Sequence, residues 1–172
     1  MSDTTQIPVP TGAQRVLARL ADLAIHTAVV ALLGLVVVQG WQVFARYVIN
    51  DSPSWTEPVT LLLLATAMSL GAAGGVHTNR HFGFFLLQDH VRPGVRRLID
   101  VIVPLVIATI GGFIAWWAGV LLFDGLSIKA AGASMPQSIN YLPLSMGGAL
   151  MVVFALNRLV LSLRPATLEG GS

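Results

Sequence analysis

The side chains able to hold a metal or a cofactor are histidines. His26 lies about one turn into the first apolar run, and His77 lies near the end of the second. Two histidines on neighbouring helices are a ligand set for a haem, so a haem-binding membrane anchor of a respiratory complex is one alternative. His77 and His81 are spaced i, i+4, a common metal-ligand spacing, but no third ligand is apparent. The other interpretation is that each histidine is hydrated or hydrogen-bonded at the membrane interface.

Glu57 is the acid whose setting most resembles a functional site. It stands in SPSWTEP, residues 52–58, directly before a long uncharged run. The residues Ser54 to Glu57 fit the S-x-x-E capping box, in which Ser54 accepts from the N–H of Glu57 and Glu57 accepts from that of Ser54. A carboxylate there favours the positive end of the helix dipole, and Pro58 fits the first turn. A proton-relay acid would sit at mid-helix, so we interpret Glu57 as a cap or an interface contact.

The elements that position these residues are membrane-spanning helices. Only 10% of the residues are charged and 55% are hydrophobic, whereas a soluble domain carries about a quarter charged residues. Four charge-free intervals are each long enough for a helix to cross about 30 Å of hydrocarbon. These intervals are residues 23–45, 58–79, 101–123 and 130–157. They lack the alternation of barrel strands, so the predicted fold is an all-α integral membrane protein with four transmembrane helices.

Lysine and arginine predict how these helices are oriented, because in short loops they favour the cytoplasmic side. Eight cations fall on one side of the predicted spans, and only Arg46 and Lys129 fall on the other. The sequence therefore predicts that both termini are cytoplasmic. Tryptophan and tyrosine map to the opposite ends of the spans, as interfacial residues should. The predicted organisation is a polar arm at residues 1–14, one transmembrane domain at 15–164 and a short tail at 165–172.

The connection between the second and third spans has a mixed composition. The stretch HFGFFLLQDHVRPGVRRLID, residues 81–100, combines an apolar patch at 82–87 with several cations. This composition favours an amphipathic helix in the membrane interface, with aromatic rings in the acyl boundary and arginines towards anionic headgroups. The alternative is that residues 82–87 extend the second span. The outer connection, residues 124–141, has the Gly, Ser and Pro content of irregular structure.

Small residues recur at helical spacing within the predicted spans. Gly71 and Gly75 form a GxxxG pattern in the second span, and a stripe of small residues runs down the third. Such stripes let helix backbones approach closely in a bilayer, either within this chain or against a partner. The charged residues, by contrast, sit at span ends. Because a transporter binds charged substrates through groups at depth, we expect that this chain does not itself carry the transport site.

Several short motifs resemble one family. FxRYVxN at residues 44–50 and SWTE at 54–57 resemble its R-Y-V and W-[ST]-E motifs, and HFG at 81–83 resembles its H-I-G. RRLxD at 96–100, Pro136, Tyr141 and GGAL at 147–150 resemble the starts of its third and fourth helices. The chain thus resembles the small membrane subunit (DctQ-like) of TRAP transporters, the tripartite ATP-independent periplasmic transporters.

The resemblance implies a non-enzymatic subunit of a sodium-coupled organic acid uptake system in a bacterial inner membrane. In that family a periplasmic substrate-binding protein captures the substrate and a large polytopic membrane subunit moves it. The small subunit is a scaffold for the large one. The residues that we predict to contact the partner or membrane lipid are Arg46, Tyr47, Trp55, Glu57, Gly71, Gly75, His81, Arg96 and Arg97.

Other functions are disfavoured by what the sequence lacks. A small four-helix drug exporter needs a buried acid in a span, and none is visible. The net charge of +2 gives no indication of nucleic-acid binding, and no nucleophile–base arrangement or phosphate loop appears. We therefore expect no enzymatic activity, no metal and no cofactor, with the haem-binding anchor as the alternative.

Overall fold

Four long helices make up the fold. The computed structural model describes residues 12–51, 53–78, 93–132 and 136–163. The helices are α1 (Gly12–Phe44), α2 (Thr56–His77), α3 (Pro93–Asp124) and α4 (Leu142–Leu163). All four are long and apolar enough to cross a membrane, and no strand occurs in the described ranges. The predicted all-helical membrane fold with four spans is confirmed.

The observed helix ends differ from the ends of the charge-free intervals. Some helices extend beyond their interval, and others begin inside it. Helix α1 starts at Gly12, so it carries Arg15, Arg19 and Asp22 in its first turns. At its other end it continues as a π-helical turn, Ala45–Ile49, which stops at Asn50 with a φ of 60°. Helix α4 starts only at Leu142, well inside the fourth interval. Length and hydropathy thus locate a span, but the residues at its ends decide where the helix stops.

The connection between α3 and α4 is irregular, as its composition predicts. It contains two 3₁₀ turns, Gly125–Ser127 and Gln137–Tyr141. Between them the backbone N–H of Gln137 donates to the carbonyl oxygen of Ile128 at 2.8 Å. The connection thus folds back as a short loop that reaches the start of α2.

The helices pack in the order α1, α2, α4, α3, so α4 lies between α2 and α3. The ends of α2 and α4 and the starts of α1 and α3 share one end of the bundle, which we name the terminal end. The opposite end, with residues 45–56 and 125–141, is the loop end. The described cations divide as predicted, because Arg46 and Lys129 lie at the loop end and the others at the terminal end.

Small residues allow the central helix to approach both neighbours. A Cβ on Gly147 would lie 2.6 Å from the Cβ of Ser69 in α2. A Cβ on Gly148 would lie 2.8 Å from the backbone N of Ala115 and the backbone O of Gly111, both in α3. Of these two adjacent glycines of α4, one therefore packs against α2 and the other against α3. The hydrophobic effect does not hold helices together in lipid, because lipid tails are as apolar as the side chains. Close van der Waals packing stabilises the helix pairs instead.

Helix α1 packs on α2 through alanines. Ala21, Ala24, Ala28 and Ala31 are its buried residues and repeat at helical spacing. Ala21 belongs to a core cluster with Ala73 and Val76 of α2 and with Phe154 and Ala155 of α4. Phe154 is the largest fully buried side chain of that cluster. The core thus lies towards the terminal end, where the spans of α1, α2 and α4 meet.

The predicted interfacial helix cannot be compared with the structure. Its apolar patch falls on residues 79–92, which lie outside the described residues. Helix α2 ends at His77, where Thr78 Oγ1 donates to the carbonyl oxygen of Gly74 at 3.1 Å. Helix α3 begins at Pro93, so residues 93–100 of the predicted stretch belong to α3.

Candidate functional site

The start of α2 is held differently from the predicted capping box. The helix begins at Thr56 with Trp55 in the N-cap position, and no side chain caps it. Ser54 Oγ instead donates a hydrogen bond to the carbonyl oxygen of Gly132 at 2.9 Å. Because the helix starts one residue later than the box requires, Ser54 and Glu57 do not occupy its N-cap and N3 positions. The predicted capping box is therefore wrong.

Glu57 nevertheless lies in the first turn of α2, at the positive end of the helix dipole. Its side chain is exposed, whereas that of Pro58 is buried. Glu57 lines a cavity of about 200 Å³ together with Gln137 and Asn140 of the outer loop. Asn140 Oδ1 is buried and receives no hydrogen bond from the part of the chain that the structure describes. Glu57 is thus a surface acid beside a polar loop, far from mid-bundle.

Gly132 joins the outer loop to the start of α2. Its φ of 81° lies in the left-handed region that L side chains rarely adopt. A Cβ at this position would also stand 2.5 Å from the carbonyl oxygen of Ser54. Only glycine therefore fits. The sequence signals an irregular loop here, but it does not signal that the loop touches α2, because that contact spans 78 residues.

Arg46 and Tyr47 lie in the π-helical turn that ends α1. Both are exposed, and 77% of the Tyr47 surface is accessible. Trp55, at the start of α2, is 45% exposed at the same end of the bundle. Single π-helical turns in helices are frequent at functional sites. The loop end therefore presents a cation and two amphipathic rings on its surface, where a membrane interface would lie.

The glycines of α2 contribute to packing inside this chain. A Cβ on Gly71 would stand 3.7 Å from that of Ala28 in α1, an ordinary contact. Gly75 is partly buried on the same helix. The tightest position is Gly74, where a Cβ would overlap Cγ1 of Ile25 in α1. The GxxxG spacing identifies the right helix, but the closest approach to α1 is one residue away from Gly75.

Residues 35–165, about three quarters of the chain, match the family described as the DctQ component of tripartite ATP-independent periplasmic transporters. The chain belongs to this family. DctQ proteins are small membrane subunits that work with a large membrane subunit and a periplasmic binding protein. No curated protein matches the chain significantly.

The DctQ match covers the loop-end residues as well as three of the four helices. It includes Arg46, Tyr47, Trp55 and Glu57, and all of α2, α3 and α4. The first two thirds of α1 precede it. The family predicted from the order of the short motifs is therefore confirmed.

The two histidines of the haem alternative do not converge in this DctQ protein. His26 is exposed, and its Nδ1 lies 2.7 Å from the carbonyl oxygen of Asp22 on its own helix. It is two residues, or about 200°, away from Ala24 and Ala28, which are buried on the opposite face of α1. The His77 ring instead packs against Phe154 of α4, with centroids 5.0 Å apart. The haem-binding anchor is not favoured.

Two further predicted residues of the DctQ protein lie at the terminal end. Arg96 and Arg97 are in the first turns of α3. His81 lies outside the described residues, as does the rest of the segment 79–92. Among the described residues, no set of three or more His, Cys, Asp or Glu side chains is arranged to hold a metal ion.

The charged side chains of this DctQ protein lie towards the ends of the spans, as far as the structure describes them. Asp22 and Asp100 stand near the terminal end, and Glu57 and Asp124 stand near the loop end. Arg158 is five residues from the end of α4. Groups that bind ions or charged substrates inside a bundle sit near the bilayer midplane. The described helices present apolar and small side chains there.

Proposed function

We propose that this chain is the scaffold subunit of a sodium-coupled TRAP transporter that takes up an organic acid. In this role it fixes the static part of the large membrane subunit in the bilayer, while the large subunit binds substrate and sodium. The chain itself performs no chemical step. In this proposal the chain lies in a bacterial inner membrane, with its terminal end facing the cytoplasm.

The placement of charge carries this proposal. The described acids and cations lie near the helix ends, so nothing ionisable among them is available at the midplane to bind a substrate anion or to couple an ion to it. A subunit without such groups supports transport by positioning another protein. Membership of the DctQ family is consistent with this division of labour.

The orientation is supported by the cation distribution. Arg15, Arg19 and Arg158 lie at the terminal end, and the loop end has Arg46 and Lys129. Cations in short loops favour the cytoplasmic side of the membrane, and this preference supports the terminal end as the cytoplasmic end. The loop end would then face the periplasm, the compartment of the substrate-binding protein.

The contact surface for the large subunit includes the exposed loop-end residues. Arg46, Tyr47 and Trp55 combine a cation with amphipathic rings, and Glu57 adds an acid next to a polar cavity. Arg96 and Arg97, in the first turns of α3 at the other end, would contact lipid headgroups, and His81 is proposed as a further contact. Gly71 contributes indirectly, because it lies in the contact between α1 and α2, and Gly75 stays a predicted contact with the partner or lipid.

The experiment is purification of the complex from membranes that express this chain with a large TRAP membrane subunit. We expect the two to copurify in a fixed ratio, and we expect sodium-gradient-driven uptake in proteoliposomes to require both. Replacing the sodium gradient with a potassium gradient is the control for coupling. A chain that purifies alone, with uptake unaffected by its removal, would overturn the proposal.

A further inference from the structure

A cavity of about 250 Å³ opens at the terminal end, where α1, α2 and α4 meet. Four polar residues line it: Gln14, His77, Asn157 and Arg158. Its apolar lining includes Val76 and Phe154, each only 2% exposed and part of the protein core. The cavity therefore combines hydrogen-bond donors with an apolar floor. None of the functions discussed above uses it.

Arg158 is the charged group of this cavity. Its side chain is partly buried, and it makes no ion pair or hydrogen bond with the described residues. A guanidinium offers five donors and no acceptor, and its charge is costly to bury without an anion. Among the residues that the structure describes, no acid lines this cavity to balance the guanidinium.

The remaining polar groups also suit an anion. Asn157 directly precedes Arg158 on the same helix and can donate through its amide, and the His77 ring stands beside the cavity against Phe154. The volume is smaller than the about 300 to 1,000 Å³ of pockets that enclose whole drug-sized ligands. It accommodates a headgroup but not an entire lipid. Leu161, 42% exposed, continues the apolar lining outwards, where acyl chains would lie.

We propose that this cavity binds the phosphate headgroup of an anionic membrane phospholipid, with Arg158 as its principal anion-binding residue. The bilayer supplies this ligand at high local concentration, and anionic lipids attract cations at the membrane surface by about 1 kcal/mol each. An apolar floor next to the donors is what distinguishes an amphiphile site from a site for a partner carboxylate or a free phosphate. This inference does not depend on the transport function.

The test compares lipids on the full-length chain purified in detergent. Mixed micelles with phosphatidylglycerol are compared with matched micelles of zwitterionic phosphatidylcholine, and bound lipid is counted by native mass spectrometry. We expect phosphatidylglycerol to be retained about fivefold better, because 1 kcal/mol corresponds to roughly that factor. Arg158→Gln should abolish the preference, and Arg158→Lys should keep part of it. Arg15→Gln, at an exposed position of the same end, is the matched control and should behave as wild type.

Each outcome decides the proposal. Equal retention of the two lipids, or equal loss in Arg158→Gln and Arg15→Gln, would show that the cavity has no anionic lipid specificity. If millimolar inorganic phosphate displaces the lipid completely, the site binds phosphate itself. If the preference disappears when the large subunit is bound, a partner group occupies the cavity. A melting curve of Arg158→Gln in phosphatidylcholine that matches wild type shows that the variant is folded. If Arg158→Gln is not folded, Asn157→Ala replaces it as the test variant, and we expect it to reduce the preference for phosphatidylglycerol to a smaller extent.

Discussion

Ser69 lies directly against Gly147 where α2 crosses α4. A Cβ on Gly147 would stand 2.6 Å from the Cβ of Ser69 and 2.8 Å from its carbonyl carbon. The Ser69 hydroxyl also lies 2.9 Å from the carbonyl oxygen of Pro143, one turn earlier in α4, and 2.6 Å from that of Ala65 on its own helix, so its proton is shared between the two acceptors. One serine thus combines a backbone-to-backbone approach with a hydrogen bond between helices, and the two contributions can be separated by mutation.

We expect Gly147→Ala to destabilise the bundle by about 1–3 kcal/mol, because the new methyl group meets backbone atoms that cannot move aside. The measurement is reversible unfolding in mixed micelles of increasing denaturing detergent. Gly40→Ala is the control, since no heavy atom lies within 4 Å of a Cβ there. Gly40→Ala should match or exceed wild-type stability, as alanine is the better helix former. Equal stability of both variants would contradict the close approach.

We expect Ser69→Ala to cost less, on the order of 0.6 kcal/mol, the average for a hydrogen bond between helices in a membrane protein. The same unfolding measurement applies. The variant removes the hydroxyl's bonds to Pro143 and to Ala65 and keeps the close approach to Gly147. A loss as large as that of Gly147→Ala would mean that the hydrogen bond, rather than the small residue, dominates this crossing.

We expect Gly132→Ala to loosen the outer loop from α2, because alanine is strained at a φ of 81° and its Cβ meets the carbonyl oxygen of Ser54. The readout is the rate of limited proteolysis within residues 125–141, which should rise severalfold. Ser54→Ala removes only the hydrogen bond to Gly132 and should raise the rate less. Unchanged proteolysis in Gly132→Ala would mean that the loop is not held through this contact.

We expect Glu57→Gln to weaken assembly with the large subunit mildly, by less than tenfold, because an exposed acid at a helix start contributes modestly. Copurification yield and uptake are measured together. Asp51→Asn, an exposed acid at the same end, is the control and should leave both unchanged. Complete loss of uptake with normal assembly would instead assign Glu57 a direct role in transport.

The orientation can be measured by single-cysteine labelling, because the sequence contains no cysteine. Ser127→Cys, at the exposed loop end, should react with an impermeant thiol reagent added outside intact spheroplasts. Gly94→Cys, where a Cβ meets nothing within 4 Å, should react only after the membrane is opened. The reverse pattern would place the termini in the periplasm.

The spans could be predicted from the sequence because a bilayer imposes length and hydropathy on every helix that crosses it. Their order in space could not. Lipid and protein core are both apolar, so neither burial nor amphipathicity distinguishes the face of α4 that meets α2 from the face that meets α3. The adjacent glycines Gly147 and Gly148 contain that information, but only the structure shows that they serve different helices.

The errors at the site have a similar cause. Ser54 to Glu57 satisfy the capping-box pattern, but the helix starts one residue later, and Ser54 bonds instead to a loop 78 residues away. Local patterns predict local bonds, and a distant acceptor can replace them when the loop brings a carbonyl within reach. Arg158 could not be singled out by sequence either, because its partly buried setting depends on how three helices meet.

The packing order of the helices also has a consequence for how the protein is made. Of the four helices, α4 is synthesised last, yet it lies between α2 and α3. When α3 leaves the ribosome, the hairpin of α1 and α2 can already form, but α3 has no neighbour on which to pack. Helix α3 is apolar enough to stay in the bilayer by itself, so it waits there as an independent helix until α4 emerges. A chain stopped before residue 142 would leave α3 without the helix on which it mainly packs.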